Sequence, residues 1–364
     1  SSLDVSKNTQ LRGLYCHGNK FTTTALDDIY CALPVRQASD NAIIQPVYDS
    51  SSSNHATVLA TNKANAIAKN WKVQYYDDDA DIPATTGTYT CLQLNMSSYI
   101  TLTVAKDSAI KLNFKAAAKG TPVRIVSGST TQNITVGTNW YRGYYQNPFT
   151  VTADGNTMTV YGDITSFDCE LNYANLTALD VSNNTQLTYL DCGYNNLSSL
   201  DVSHNTQLTN LCCRDNQLRS LDVSGCTRLM RLGCADNRLT GLDLSHNTQL
   251  TELNCTNNRL SSLDLSHNTK LTSLYCYKNK FSTQALDRIY CTLPDRDASD
   301  DAKVFPLHET SSTAEADAVV TTTVENATDK NWKVQTYKAN HQHEDIATTG
   351  TYDCSTAISA ATAE

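Results

Sequence analysis

A leucine-aspartate pair recurs at Leu179, Leu200, Leu221, Leu242 and Leu263, and a leucine-x-cysteine triplet at Leu190/Cys192, Leu211/Cys213, Leu232/Cys234, Leu253/Cys255 and Leu274/Cys276. Both series advance by 21 residues without a slip. No other feature restricts the fold as tightly. A unit of this length cannot bury its own apolar face, so successive units must stack into a solenoid and share one core. Leu190 and Cys192 stand two apart and in a strand point to the same side, into the coil. Leu187 and Leu197 bury from the flanking turns. Asn195 follows the strand and recurs as Asn216, Asn237, Asn258 and Asn279. Asn side chains satisfy backbone groups where a chain turns, so this column predicts a ladder tying each coil to the next. The cysteines serve as small apolar filling. Strand spacing separates stacked sulfurs by about 4.7–4.9 Å, against about 2.05 Å in a disulfide, which predicts free, buried thiols.

The consensus L-x-C-x-x-N-x-L-x-x-L-D-V-S-x-N-T-x-L follows the leucine-rich-repeat pattern, with Cys at the third leucine position. It resembles the cysteine-ladder repeats of internalin-J-like bacterial proteins and the leucine-rich surface proteins of gut Bacteroidetes. The resemblance covers roughly a third of the chain in the main array, plus Ser2 to Cys31. It implies a leucine-rich-repeat solenoid, a bacterial surface location and a role in recognition or adhesion. It names no ligand, because repeat folds host many partners.

A longer duplication overlies the short one. Leu3 to Cys91 realigns with Leu263 to Cys354: Ala25-Leu26-Asp27-Asp28-Ile29-Tyr30-Cys31 returns as Ala285-Leu286-Asp287-Arg288-Ile289-Tyr290-Cys291, and Asn70-Trp71-Lys72-Val73-Gln74 as Asn331-Trp332-Lys333-Val334-Gln335. The duplicated tail reads as the C-terminal cap that a solenoid needs. Thr23 or Thr24 caps a short helix carrying Leu26, Ile29 and Leu33, stopped by Pro34. Ile43 to Val47 reads as an edge strand limited by Pro46, Ala56 to Lys69 as a second helix, and Trp71-Lys72-Val73 as a final strand with Trp71 sealing the open end. Ser1 to Ser6 resembles Ser261 to Ser266, in mid-repeat. The expectation is a fragment whose upstream repeats and export signal lie elsewhere.

Between the copies the period disappears. Alternating runs replace it at Ile100/Leu102/Val104, Ile110/Leu112/Phe114, Val123/Ile125, Ile134/Val136, Phe149/Val151 and Met158/Val160, the pattern of a small β domain. The expected architecture is thus α+β: a solenoid of 21-residue leucine-rich repeats with short capping helices and an inserted small all-β domain. Residues 1–91 would hold the end of a first array and its cap, 92–165 the β domain as N-terminal cap, 166–290 the main array, and 291–364 a C-terminal cap copying 32–91.

The net charge of −9 argues against nucleic acid or an anionic membrane surface as partner. No apolar run approaches the length of a transmembrane helix. The P-loop, G-x-S-x-G, H-E-x-x-H and dinucleotide signatures are missing from the sequence. The expectation is a non-enzyme with no cofactor and no metal. His341-Gln342-His343-Glu344-Asp345 has metal-binding residue types, but its counterpart Asp77-Asp78-Asp79-Ala80-Asp81 lacks His, which favours a variable solvated loop. Of 13 cysteines, seven sit on the ladder (Cys16, Cys169, Cys192, Cys213, Cys234, Cys255 and Cys276). Cys212 and Cys226 depart from it. Cys31 and Cys91 recur as Cys291 and Cys354, and either a disulfide in each tail or buried free thiols fits.

If Leu190 and Cys192 point inward, Tyr189, Asp191 and Gly193 point outward, followed in the same columns by Asn210/Cys212/Arg214, Arg231/Gly233/Ala235, Glu252/Asn254/Thr256 and Ser273/Tyr275/Tyr277. The framework repeats while these positions vary, as on a scaffold that presents a recognition surface. Tyr and Arg favour binding hot spots. The expected ligand-binding residues are Tyr189, Asp191, Arg214, Arg231, Glu252, Asn254, Tyr275 and Tyr277, facing a protein or glycan ligand, host-derived among others. Two readings stand beside this one: a spacer with a merely solvated face, and carbohydrate binding by the β domain. The latter would use Trp140, Tyr141, Arg142, Tyr144, Tyr145 and Phe149, for which core packing is the plainer role.

Overall fold

The structure, a computed structural model, describes residues 3, 5, 8–88, 94–140, 149–340 and 342–355. It divides into two compact units, residues 1–93 and 94–364.

The first unit contains β1 (Gly13–Tyr15), α1 (Thr23–Ala32), β2 (Ala42–Val47), α2 (His55–Leu59), α3 (Ala64–Ile67) and β3 (Trp71–Tyr75), with the strands in a parallel sheet of order β1-β2-β3. The α1 cap is Thr22, whose hydroxyl accepts from the Ala25 N–H at 3.2 Å, one residue before the expected Thr23 or Thr24. Leu26, Ile29 and Leu33 are buried. The segment expected as an edge strand is the middle strand. Pro46 falls at the register irregularity between Ile44 and Val47, a place that suits a residue with no N–H to donate. The alanine-rich stretch is two short helices, not one. The Thr61 hydroxyl donates back to Val58 O at 2.6 Å, and the Asn62 N–H is taken by Asp27 Oδ1 at 2.8 Å. The buried carboxylate of α1 thereby draws the backbone out of helical pairing. Trp71 is buried, and its indole N–H donates to Pro34 O at 2.7 Å.

The second unit begins with β4 (Tyr99–Val104), β5 (Ala109–Ala116), β6 (Thr121–Ser127), β7 (Thr130–Val136), β8 (Phe149–Thr152), β9 (Thr157–Tyr161), β10 (Ile164–Asp168) and β11 (Leu176–Asp180). The short strands β12 (Tyr189–Asp191), β13 (Asn210–Cys212), β14 (Arg231–Gly233), β15 (Glu252–Asn254) and β16 (Ser273–Tyr275) follow. The unit ends with α4 (Thr283–Thr292), β17 (Lys303–His308), α5 (Thr313–Val320), α6 (Glu325–Thr328), β18 (Lys333–Tyr337) and β19 (Glu344–Asp345).

One sheet runs β19-β18-β17-β16-β15-β14-β13-β12-β10-β5-β8 and a second β11-β4-β9-β6-β7. From β12 to β16 the strands are parallel with partners 21 residues apart, as in Tyr189↔Asn210 and Glu252↔Ser273. The step from Ser166 to Tyr189 is 23. The alternating runs of 92–165 are strands, but they do not separate from the repeats. β5 and β8 extend the repeat sheet through β10, while β11, downstream of β10, pairs with β4 in the other sheet. A single core runs from Ile100 to Val334.

The interior explains the stack. Leu190, Leu211, Leu232, Leu253 and Leu274 are buried, with all seven ladder cysteines buried as free thiols. A buried leucine contributes about 1.5–3 kcal/mol before conformational entropy is charged against it. The Asn column works as a clamp. Asn258 Nδ2 donates to Cys234 O (3.0 Å), Cys255 O (3.1 Å) and Thr256 O (3.2 Å), while its Oδ1 accepts from the Leu239 N–H (2.9 Å). A second Asn column lies in the turns that follow the Leu-Asp pairs. Asn247 Nδ2 donates to Val223 O (2.9 Å) and Cys226 O (3.0 Å), and Asn205 and Asn268 do the same in their coils. Cys226 occupies this column with longer contacts to Val202 O (3.6 Å) and Asn205 O (3.8 Å).

The tail of the second unit repeats the devices of the first. Ser282 caps α4, Asp287 Oδ1 accepts from the Thr323 N–H (2.7 Å), and the Trp332 indole donates to Pro294 O (2.8 Å). Cys291 and Cys354 form a disulfide. Cys31 is also disulfide-bonded; Cys91 lies outside the described residues.

Candidate functional site

Each strand from β12 to β16 is three residues long, and its middle leucine points inward, so its first and third residues face outward. Parallel register stacks these outward positions into columns. One reads Tyr189, Asn210, Arg231, Glu252, Ser273; the next reads Asp191, Cys212, Gly233, Asn254, Tyr275.

The middle of the face is open. Arg231 Nε lies 3.6 Å from Glu252 Oε2, with the two side chains 67% and 46% exposed. A pair this solvated contributes at most about 1 kcal/mol, so both groups remain free to re-pair with a ligand. Asn254 is held by its own coil: its Oδ1 accepts from the Thr256 N–H (3.2 Å) and hydroxyl (2.9 Å).

The N-terminal end is different, and Asp191 corrects the expectation. It is 3% exposed and flanked in register by Asp168 and Cys212. Its Oδ1 accepts from the Gly193 N–H at 3.0 Å, and the Tyr189 hydroxyl lies 3.5 Å from Oδ2. It supports the face from beneath and presents nothing to solvent. Burial raises its pKa. Burial also pushes Asp168 up to about 7, with the charges of Asp191 and Glu170 adding and the Glu170 N–H opposing. Glu170 is buried and raised by burial and by Asp191, against the pull of Arg214, whose guanidinium lies 3.6 Å away. Arg214 also covers the Tyr194 ring at 4.6 Å. Glu170 and Asp191 therefore share one guanidinium under the first coils, with the Asp168 carboxyl packed beside them. Asp168 and Glu170 were readable only by carrying the columns back across the irregular step of 23 residues.

Tyr189 contacts the edge of Trp140 at 5.2 Å, and Lys115 Nζ lies 4.5 Å from the Trp140 ring centre. Phe149 is buried and packs toward Phe114, at 6.4 Å, so it belongs to the core. Tyr141, Arg142, Tyr144 and Tyr145 lie outside the described residues.

At the C-terminal end, Tyr275 and Tyr277 belong to an aromatic cluster. Tyr275 stacks on Phe305 at 4.8 Å and 12°. Tyr277 stacks on Tyr337 at 5.5 Å and contacts His308 at 4.9 Å. His343 packs against both Phe305 (4.8 Å) and Tyr337 (5.1 Å). Burial raises both tyrosines, Tyr277 to about 12. Phe305, His308 and Tyr337 come from β17 and β18, outside the repeat period; the duplicated positions Tyr48/His308 and Tyr76/Tyr337 were the available signal. His343 Nδ1 accepts from the Lys338 N–H at 3.2 Å, and His341 lies outside the described residues. Among the described residues no group of three His, Cys, Asp or Glu could hold a metal ion, and no helix is long and apolar enough to cross a membrane.

No protein-family model and no curated protein matches the chain. Solved structures do. An internalin, InlF, from Listeria monocytogenes is 20% identical, with TM-score 0.34 over 48% of this chain and 45% of that one. The functional domain of InlJ from Listeria monocytogenes, described as including a cysteine ladder, is 27% identical, with TM-score 0.21 over 43% and 51%. A leucine-rich-repeat protein of Leptospira interrogans is 21% identical, with TM-score 0.27 over 32% and 38%. The chain spans between 38% and 51% of their lengths. Its own parallel register and buried leucine and cysteine columns are those of a leucine-rich-repeat fold with a cysteine ladder.

Proposed function

We propose that this chain is a non-catalytic, exported recognition or adhesion module that binds a protein or glycan, host ligands among them, through the outward strand face of its second unit. One observation carries the reading: from β12 to β16 the inward positions hold Leu and Cys, while the outward first position changes through Tyr, Asn, Arg, Glu and Ser. Packing demands the constancy. Nothing in the interior demands the variation, which is what a rigid scaffold displaying a specific surface requires. Arg231 and Glu252 are the open polar contacts of that surface, Tyr275 and Tyr277 its aromatic end, and Tyr189 and Arg214 its N-terminal end. In this reading β4 to β9 cap the 21-residue repeats at one end, and the helical tail after Phe281 caps them at the other. The Cys291–Cys354 disulfide supports an extracytoplasmic location, because such bonds persist in oxidising compartments.

The test is a binding screen of the purified chain against host extracellular proteins and a glycan array, with Arg231→Ala/Glu252→Ala run beside it. A hit lost in the variant supports the face. A hit retained there but lost in Trp140→Ala moves recognition to the β segment. An empty screen favours the second reading, a surface spacer, for which the mutual pairing of Arg231 and Glu252 on a solvated face speaks.

A further inference from the structure

The aromatic cluster at the end of the repeats occurs twice, and the first copy is the more exposed. In the first unit, Tyr15, Tyr48 and Tyr76 are 61%, 47% and 45% exposed. They gather around His17. The His17 ring lies 4.0 Å from Tyr76 and 5.7 Å from Tyr48, Tyr48 lies 5.6 Å from Tyr76, and Tyr15 meets Tyr76 edge-on at 6.2 Å. Large exposed rings gathered in one patch are unusual unless something covers them. The corresponding positions of the second unit are Tyr275, Tyr277, His308 and Tyr337. Three tyrosines and one histidine recur, although the histidine has moved from one column to another. Aromatic character is common to both copies; residue identity is not.

Charge separates the two copies. In the first, the Asp77 N–H donates to Tyr48 O (3.2 Å), and the Tyr76 N–H donates to the same oxygen (3.0 Å). Asp77 and Asp78 thus follow one ring, and Asp49 follows another. Asp77 and Asp78 are exposed and Asp49 is half-buried. None of the three forms an ion pair with a cation among the described residues. Lys72 lies on the same face of β3 as Tyr76, but four residues away, about 13 Å along the strand. In the second copy Tyr337 is followed by Lys338, Ala339 and Asn340, and Lys338 pairs with Glu344. The first patch therefore combines ring faces, which carry negative quadrupoles, with unneutralised carboxylates. The second keeps only Glu309, the counterpart of Asp49, and has Lys338 and Ala339 where the first has Asp77 and Asp78.

We propose that Tyr15, His17, Tyr48 and Tyr76, rimmed by Asp49, Asp77 and Asp78, form a docking surface for a basic peptide segment of a partner protein. Lysine or arginine side chains lie over the exposed ring faces and their charge meets the carboxylates. The homologous cluster of the second unit, with Lys338 in place of Asp77, does not take this partner. The proposal concerns the first unit and does not depend on the strand face of the second.

The experiment measures fluorescein-labelled octalysine binding to the full chain by anisotropy, with the Nε-acetylated octapeptide as the neutral probe. Octalysine should bind saturably and the acetylated peptide should not. Tyr48→Leu/Tyr76→Leu keeps apolar bulk and charge but removes two rings, and should weaken binding roughly five- to thirtyfold. Asp77→Asn/Asp78→Asn should also weaken it. Tyr277→Leu/Tyr337→Leu should bind as wild type, and so should Asp317→Asn/Glu325→Gln, which removes equal charge elsewhere. On the unmutated chain, octalysine should protect Tyr15, Tyr48 and Tyr76 from nitration, a readout that stands even if a leucine variant misfolds. The proposal is overturned by the absence of saturable binding, by a ring variant within twofold of wild type, by equal loss in either control variant, or by unprotected tyrosines.

Discussion

Asn258→Ala should be among the most damaging single changes in the repeats, and its neighbour Asn257 supplies the control. Asn258 is 8% exposed, and its side chain makes four hydrogen bonds across two coils, its own and the preceding one. Truncation strands the Leu239 N–H, which has no backbone acceptor in the turn, and removes one of two donors at Cys234 O and Cys255 O, which keep the Asn237 side-chain amide (3.2 Å) and the Asn279 side-chain amide (3.0 Å). Each orphaned buried group costs about 1–3 kcal/mol. One such group, together with the two lost hydrogen bonds whose acceptors keep a second donor, gives about 2–4 kcal/mol. Asn257 precedes it with φ of 49° and an exposed side chain bonded to Asp236 Oδ1. Asn257→Gly keeps that backbone angle accessible and should cost no more than about 1 kcal/mol. Urea unfolding followed by circular dichroism measures both variants, and hydrogen exchange at the Leu239 amide reports the site locally. If Asn258→Ala falls within about 0.5 kcal/mol of Asn257→Gly, a difference within ordinary surface effects, the ladder does not bear the stacking and leucine packing alone holds the coils.

Four further outcomes follow from the same contacts. Cys226→Asn should restore the short donor contacts made by Asn205 and Asn247 in that column and raise stability by about 0.5–1.5 kcal/mol, read as an upward shift of the thermal midpoint. At pH 8 the native chain should leave its seven ladder thiols unalkylated by iodoacetamide, because burial holds their pKa values far above that pH, Cys16 at about 12; mass spectrometry with and without denaturant checks this. Asp168 has a folded pKa of about 7 against 3.8 unfolded, so its contribution is most favourable in acid and is lost as pH rises through 7. Asp168→Asn should therefore raise the urea midpoint more at pH 7.5 than at pH 5, and an equal shift at both would contradict the assignment. Cys291→Ser/Cys354→Ser opens a closure of 63 residues and should cost up to about 4 kcal/mol by chain entropy, measured against the oxidised parent.

The repeats were legible because their determinants are local and periodic: one leucine and one cysteine per strand fix register, and one Asn per coil fixes the stacking. The burial of Trp71 was legible because a large indole beside a strand has few other places to go. Other features depended on groups distant in sequence. The break between α2 and α3 is made by Asp27, more than thirty residues upstream of Asn62. Asp191 occupies a column that alternation assigns outward, yet lateral neighbours cover it, with Asp168 and Cys212 in register on either side. The middle position of β2 follows from the parallel sheet continuing into the tail, where the period no longer guides the reading. The fusion of β5 and β8 with the repeat sheet is a pairing between segments that share no motif. The candidate face was legible as a set of columns, but its division into a buried acidic end, an open centre and an aromatic end was not.

The most direct test of recognition through the strand face is a pair of affinities for a ligand obtained from the screen, measured by surface plasmon resonance on the parent and on Arg231→Ala/Glu252→Ala. The parent should bind at least roughly tenfold more tightly, the loss expected when two central polar contacts are truncated. Equal affinities within twofold, with both proteins folded, would contradict it.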